Sequence, residues 1–156
     1  MKNELVQSAH AVGESNFHLQ LTPAYRRDIF INEEVQQYIL SYSYEKLTKL
    51  KVTVLAADFG PDHFHIFVTN VRHVSEIELV RQLKGYTSYM MRHNHQHPLK
   101  GKLWGKKFWS YGHFYRSVGA VNKETVKRYV QECQEKHWTK QTLQDKNQKT
   151  LANFAG

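Results

Sequence analysis

Two histidines, His63 and His65, flank a single bulky apolar residue in the run Pro61-Asp62-His63-Phe64-His65-Ile66-Phe67-Val68. If this run is a β-strand, alternation sends both imidazoles to one face and Phe64 and Ile66 to the other. Strand positions i and i+2 stand roughly 6 to 7 Å apart, so both rings can reach one divalent ion, for which neutral imidazole is a common ligand. The same spacing also suits the solvated face of a half-buried strand. What else the chain brings to that face decides between the two.

Cys133 is the one cysteine, which excludes an internal disulfide and any multi-cysteine zinc site. An ion on His63 and His65 would complete its shell with oxygens, water, that thiol or another histidine, a set that leans toward magnesium or manganese. Lys and Arg total 22 against 14 Asp and Glu, a net charge of +8 that favours a polyanionic partner, with nucleic acid the default. The opening residues MKNELVQSAH lack the apolar core of a signal peptide, and no stretch approaches a membrane span. A soluble, cytoplasmic protein without membrane contact is expected.

The elements that must position the pair can be read from periodicity and capping. Phe17 to Leu21 alternates as a strand and leads into the basic loop Tyr25-Arg26-Arg27. Asn32 can cap a helix carrying Val35, Ile39 and Tyr42, running to about Leu50. A second strand spans Lys51 to Asp58, and the turn residues Gly60-Pro61-Asp62 join it as a hairpin to a strand from His63 to Thr69. Ser75-Glu76-Ile77-Glu78 is a capping box for a helix to about His93, with Leu79, Leu83, Tyr86 and Met90 at helical spacing.

Residues 94–107 are basic and glycine-bearing, as in a loop; Phe108 to Ser117 is an aromatic strand; Asn122 can cap a third helix from Lys123 to Trp138. The order matches an α+β, ferredoxin-like (split βαβ) antiparallel sheet with helices on one face and an appended C-terminal helix. One domain over residues 1–138 is expected, followed by a flexible or accessory tail, 139–156, with little apolar periodicity. In this topology the histidine strand is central, which weakens the solvated-face reading. Val126, Val130, Cys133 and His137 form the buried stripe of the third helix, and Tyr129 lies about 60° from its centre, placed either as a nucleophile or as a packing residue.

The segments PDHFHIFV, Leu103-Trp104-Gly105-Lys106-Lys107-Phe108-Trp109, Val126-Lys127-Arg128-Tyr129-Val130 and Tyr25-Arg26-Arg27, in this order and at these separations, resemble the single-tyrosine HUH transposases of the insertion-sequence 200/605 group. The resemblance covers about residues 15–138. It implies that His63 and His65 hold a Mg2+ or Mn2+ ion that polarises the scissile phosphate of single-stranded DNA. It also implies that Tyr129, on the last helix, attacks phosphorus to give a 5′-phosphotyrosine and a free 3′-hydroxyl, with no ATP needed. The chemistry suits the residues, because a phenol of pKa about 10 needs activation and a metal stabilises charge on phosphoryl oxygens.

The family places a glutamine four residues after its tyrosine as third ligand, whereas this chain has Cys133 there and Gln134 one later. A one-residue π-bulge could bring Gln134 to the site, and Glu132 or Asp58 could supply an oxygen; Cys133 on the apolar stripe reads as core. Gln134 is the preferred ligand, with the alternatives open. Arg26, Arg27, Lys84, Lys102, Lys106, Lys107 and Arg116 fall on loops or element ends where they can meet phosphates, and Trp104, Trp109, Tyr111 and Tyr115 can stack on bases or fill the sheet core.

The resemblance further implies recognition of hairpins at single-stranded element ends and a homodimer with active sites shared between chains, Gly119 serving as a hinge. The same residues would also suit a tyrosine acting in its own chain. Two other functions use them too: a non-catalytic single-strand or RNA-binding module, and a replication-initiator or relaxase-like nickase.

Overall fold

The computed structural model describes residues 6–8, 11–13, 15–101, 103, 107–118, 124 and 128. A short antiparallel hairpin opens the chain, β1 (Val6–Ser8) with β2 (Ala11–Gly13). The body follows as β3 (Asn16–Pro23), α1 (Glu33–Lys49), β4 (Thr53–Gly60), β5 (His63–Thr69), α2 (Glu76–Asn94), the single turn α3 (Gln96–Leu99) and β6 (Trp109–Val118). The sheet order is β4-β5-β3-β6 and every pairing is antiparallel, which is the ferredoxin-like arrangement expected. The hairpin β1-β2 and the turn α3 were not anticipated, the latter inside a stretch read as loop.

The helices begin where their caps are. The Asn32 side chain accepts from the Glu34 and Val35 amides at 2.9 and 3.4 Å, and Ser75 Oγ accepts from the Glu78 amide at 3.1 Å. The Glu78 carboxylate binds Arg81 and Gln82, which hold it down at about 2. Val35, Ile39, Ser43 and Leu47 form an i, i+4 stripe on α1, and Leu79, Val80, Leu83, Thr87 and Met91 face inward from α2. Tyr86 and Met90, expected in that stripe, lie at its half-buried margin.

Both stripes pack against Leu19 and Leu21 of β3, Phe59 of β4 and Phe64, Ile66 and Val68 of β5, so one sheet face carries the core. Burial of such side chains is worth roughly 1.5 to 3 kcal/mol each, and this core fixes the register of the two central strands. Register in turn fixes the opposite face. Gln20 of β3 pairs with His65, and His18 with Phe67, so Asn16, His18 and Gln20 share a face with His63, His65 and Phe67.

Strand β4 reaches this arrangement through a bulge. Val54 pairs with Val68 but Ala56 pairs with Phe67, which leaves Leu55 as an extra residue. The insertion flips the side-chain phase, so Val54 and Ala57 both face the core while Asp58 faces out opposite His65.

The third helix and the tail fall outside the described residues, except for Glu124 and Arg128, which are helical and exposed. Among the described residues no helix is long and apolar enough to cross a membrane.

Candidate metal and nucleic-acid site

His63 opens β5 directly after the Pro61-Asp62 turn, and His65 follows on the same side. Both rings are buried, at 8% and 1% exposure, on the face turned from α1 and α2. Their planes are nearly parallel, 10° apart, with centroids separated by 6.1 Å. The solvated-face reading therefore fails: these are inward-held imidazoles on a central strand.

Each ring is held by its Nδ1 atom. His63 Nδ1 contacts the carboxylate Oδ1 of Asp62, the residue before it in the turn. Arg26 Nη2 lies 3.5 Å from His63 Nε2, and Arg26 Nε lies 3.4 Å from the other oxygen of Asp62. A carboxylate only accepts and a guanidinium only donates, so the Nδ1–H tautomer of His63 suits both neighbours, its Nε2 lone pair facing the guanidinium. On His65, Nδ1 stands 3.0 Å from His18 Nε2.

His18 is not among the residues that the sequence singles out, although Phe17-His18-Leu19-Gln20-Leu21 alternates as a strand. The available signal was phase: on a strand paired to the histidine strand, the polar positions of the alternation must share the histidines' face. The His18 ring stacks on Phe67 at 4.4 Å and 6°, and meets Phe114 edge-on at 6.0 Å, so it is fixed in plane as well as by its hydrogen bond.

Arg26 is brought to the pair by an unusual backbone. Tyr25 and Arg26 both adopt left-handed φ, 58° and 50°, which non-glycine residues seldom do, and the turn sends the guanidinium back over the hairpin. Its side chain remains 69% exposed at the outer edge of the site. Arg116, opposite His18 on β6, shares the histidine face and lies over the Phe114 ring.

The other expected contacts are dispersed. Arg27 is half-buried next to Arg26 in the chain, and Lys107 Nζ sits over the Tyr111 ring. Lys84 donates to the carbonyls of Ser110, Tyr111 and Gly112 at 2.8, 3.2 and 2.8 Å. These carbonyls lie where the β3-β6 register shifts between Leu21 and Pro23, so the ammonium satisfies acceptors that the irregularity frees. Burial, with Lys107 nearby, lowers the Lys84 pKa. Trp109 belongs to the core, its indole donating to Thr87 Oγ1 at 2.9 Å, while Tyr111 and Tyr115 are exposed.

Tyr129, Gln134, Glu132, Cys133, Lys102, Lys106 and Trp104 lie outside the described residues. Among the described residues no group of three or more His, Cys, Asp or Glu could hold a metal, so Asp58 does not complete such a group with the pair, despite standing opposite His65. The donor chemistry nevertheless fits a divalent ion. With Nδ1 engaged, a ring offers Nε2, which is the usual disposition of a metal-binding histidine and its outer partner.

A model of the family described as "Transposase IS200 like" matches residues 11–133. No curated protein matches the chain. Among solved structures, a candidate transposase from Deinococcus radiodurans R1 is similar, with a TM-score of 0.65 at 19% identity over 83% of this chain and 98% of that one. A REP-associated tyrosine transposase bound to a REP hairpin is similar at a TM-score of 0.53 and 11% identity, over 80% of this chain and 68% of that one. Both likenesses are of fold, and the family model spans the histidine pair, Arg26 and the segment around Tyr129: the chain belongs to the IS200-like transposase family.

Proposed function

We propose that this transposase cleaves and rejoins single-stranded DNA through Tyr129, with the scissile phosphate held over His63 and His65. The observation that carries the reading is the presentation of two parallel imidazoles on a central strand, beside the exposed guanidinium of Arg26. Family membership supports the tyrosine chemistry, and the hairpin bound to the similar REP-associated enzyme supports folded single-stranded DNA as substrate.

His63 and His65 would hold a Mg2+ or Mn2+ ion, with Gln134 the preferred third ligand, and such an ion would draw charge from the phosphoryl oxygens. Arg26, one residue-length away, binds the same phosphate and neutralises part of its charge. Tyr129 Oη attacks phosphorus, forming the O–P bond as the P–O3′ bond breaks; the phenolic proton ends on the departing 3′-hydroxyl through solvent. A 3′-hydroxyl from another strand reverses the step. The bond energy is retained in the phosphotyrosine, so no nucleotide cofactor is consumed.

A homodimer that shares histidines from one chain and tyrosine from the other is part of the same reading. Its test is cleavage of single-stranded oligonucleotides covering both flanks of the gene, with and without Mn2+, beside Tyr129→Phe and His63→Ala. Metal-dependent cleavage lost in both variants supports the reading. Tight binding to a flanking hairpin with no cleavage under any metal would replace it with a binding module, and cleavage without joining of two ends would make the protein a nickase.

A further inference from the structure

The geometry points to His18 as a positioning residue that sets the tautomer of His65, so that both members of the pair present Nε2 in the same sense. This rests on the reading of His63 and His65 as the metal-holding pair. For His63 the tautomer follows from its partners, an acceptor-only carboxylate on Nδ1 and a donor-only guanidinium facing Nε2. For His65 the contact is between two imidazoles, either of which could donate.

Two observations fix the rings, and the reading of the pair as metal-holding chooses the direction. His65 is 1% exposed and lies parallel to His63, so its ring cannot rotate to offer a different nitrogen without disturbing the sheet face. His18 is itself 3% exposed and stacked flat on Phe67, so its Nε2 is held at one place in the plane of its ring. Only the arrangement in which His65 Nδ1–H donates to the His18 Nε2 lone pair leaves His65 Nε2 as an acceptor alongside that of His63. In the reverse arrangement His65 Nε2 carries a hydrogen and cannot ligate.

His18 therefore does for His65 what Asp62 does for His63, from the adjacent strand rather than from the turn. A neutral imidazole in place of a second carboxylate orients the ring without adding a negative charge beside the phosphate.

The test reads the tautomers directly, by long-range proton–nitrogen correlation of the histidine side chains in the metal-free protein, and then titrates Mn2+ against wild type, His18→Leu and His18→Gln. Wild type should show His63 and His65 both protonated at Nδ1. His18→Leu, which has no acceptor, should lose that state at His65 and bind Mn2+ 10- to 100-fold more weakly at unchanged helical content, the usual penalty for removing such an outer partner. His18→Gln, whose amide oxygen can accept, should recover most of the affinity. A wild-type His65 protonated at Nε2, or a His18→Leu protein with wild-type Mn2+ affinity, overturns the assignment. Should wild type bind no Mn2+, the metal reading fails while the tautomer measurement still decides the role of His18.

Discussion

Asp58 and His65 stand directly opposite each other on β4 and β5, and they do so because Leu55 is an extra residue in β4. Were Leu55 paired in plain alternation instead of bulged, the phase that buries Val54 would send Asp58 into the core and Ala57 out of it. The bulge thus sets the polarity of the face on which the histidine pair sits, although Leu55 touches none of that chemistry.

Deleting Leu55 should accordingly cost no more than about 3 kcal/mol, because it leaves Val54 and Ala57 facing the core and Asp58 facing out, in plain alternation opposite β5. Leu55→Ala, at a position 37% exposed, should change stability by less than about 1 kcal/mol. Urea denaturation of both proteins checks this. A deletion that unfolds the protein would mean that the bulge is needed for more than strand phase.

Lys84 and Arg116 carry the same charge and should behave differently. The Lys84 ammonium is committed to three β6 carbonyls, whereas Arg116 lies exposed on the histidine face. Arg116→Gln should reduce the salt dependence of single-strand binding by about 0.7 in log–log slope, the loss of one phosphate contact. Lys84→Met should leave that slope unchanged and instead lower stability by about 1.5 to 3 kcal/mol, the range for hydrogen bonds to a charged group. Equal effects on the slope would contradict the assignment of Lys84 to the sheet.

Thr87 is buried in α2 and accepts from the Trp109 indole at 2.9 Å while donating to the Leu83 carbonyl at 2.8 Å. Thr87→Val keeps the shape and strands the indole N–H, so it should cost about 1 to 3 kcal/mol. Thermal unfolding followed by tryptophan fluorescence measures it, and an unchanged midpoint would show that the indole finds another acceptor.

His95 links the two helices: its ring stacks on Tyr38 at 3.6 Å, and its Nε2 takes the Tyr42 hydroxyl at 2.5 Å. Burial lowers its pKa below the ordinary 6.5 despite Glu34 nearby. A histidine depressed in the folded state contributes stability that is complete above pH 6.5 and lost as pH falls through the folded value. The melting temperature should therefore drop between pH 7.5 and 5.5, and drop less in His95→Gln. Identical pH profiles for the two proteins would remove His95 as the titrating group.

Much of the architecture was legible because it follows from local rules. Asn32 and Ser75 each begin a helix where a capping side chain must, and the boundaries of β5 coincide with the expected His63 to Thr69 because a turn fixes one end. The site was legible as a pair but not as a set. His18 lies 47 positions from His65 and meets it only through the β3-β5 register, which depends on burial rather than on any local motif. Arg26 reaches His63 through two left-handed residues that no propensity favours. Leu55 looks like an ordinary strand residue, and only the mismatch between Val54 and Ala57 as inward positions reveals the bulge.

The most direct measurement is mass spectrometry of the protein after incubation with Mn2+ and single-stranded DNA from the flanks of its gene, followed by protease and nuclease digestion. The account predicts a peptide carrying a 5′-linked nucleotide on Tyr129, absent without metal and absent from His63→Ala. A nucleotide on any other tyrosine, or efficient cleavage with no covalent peptide at all, would contradict it.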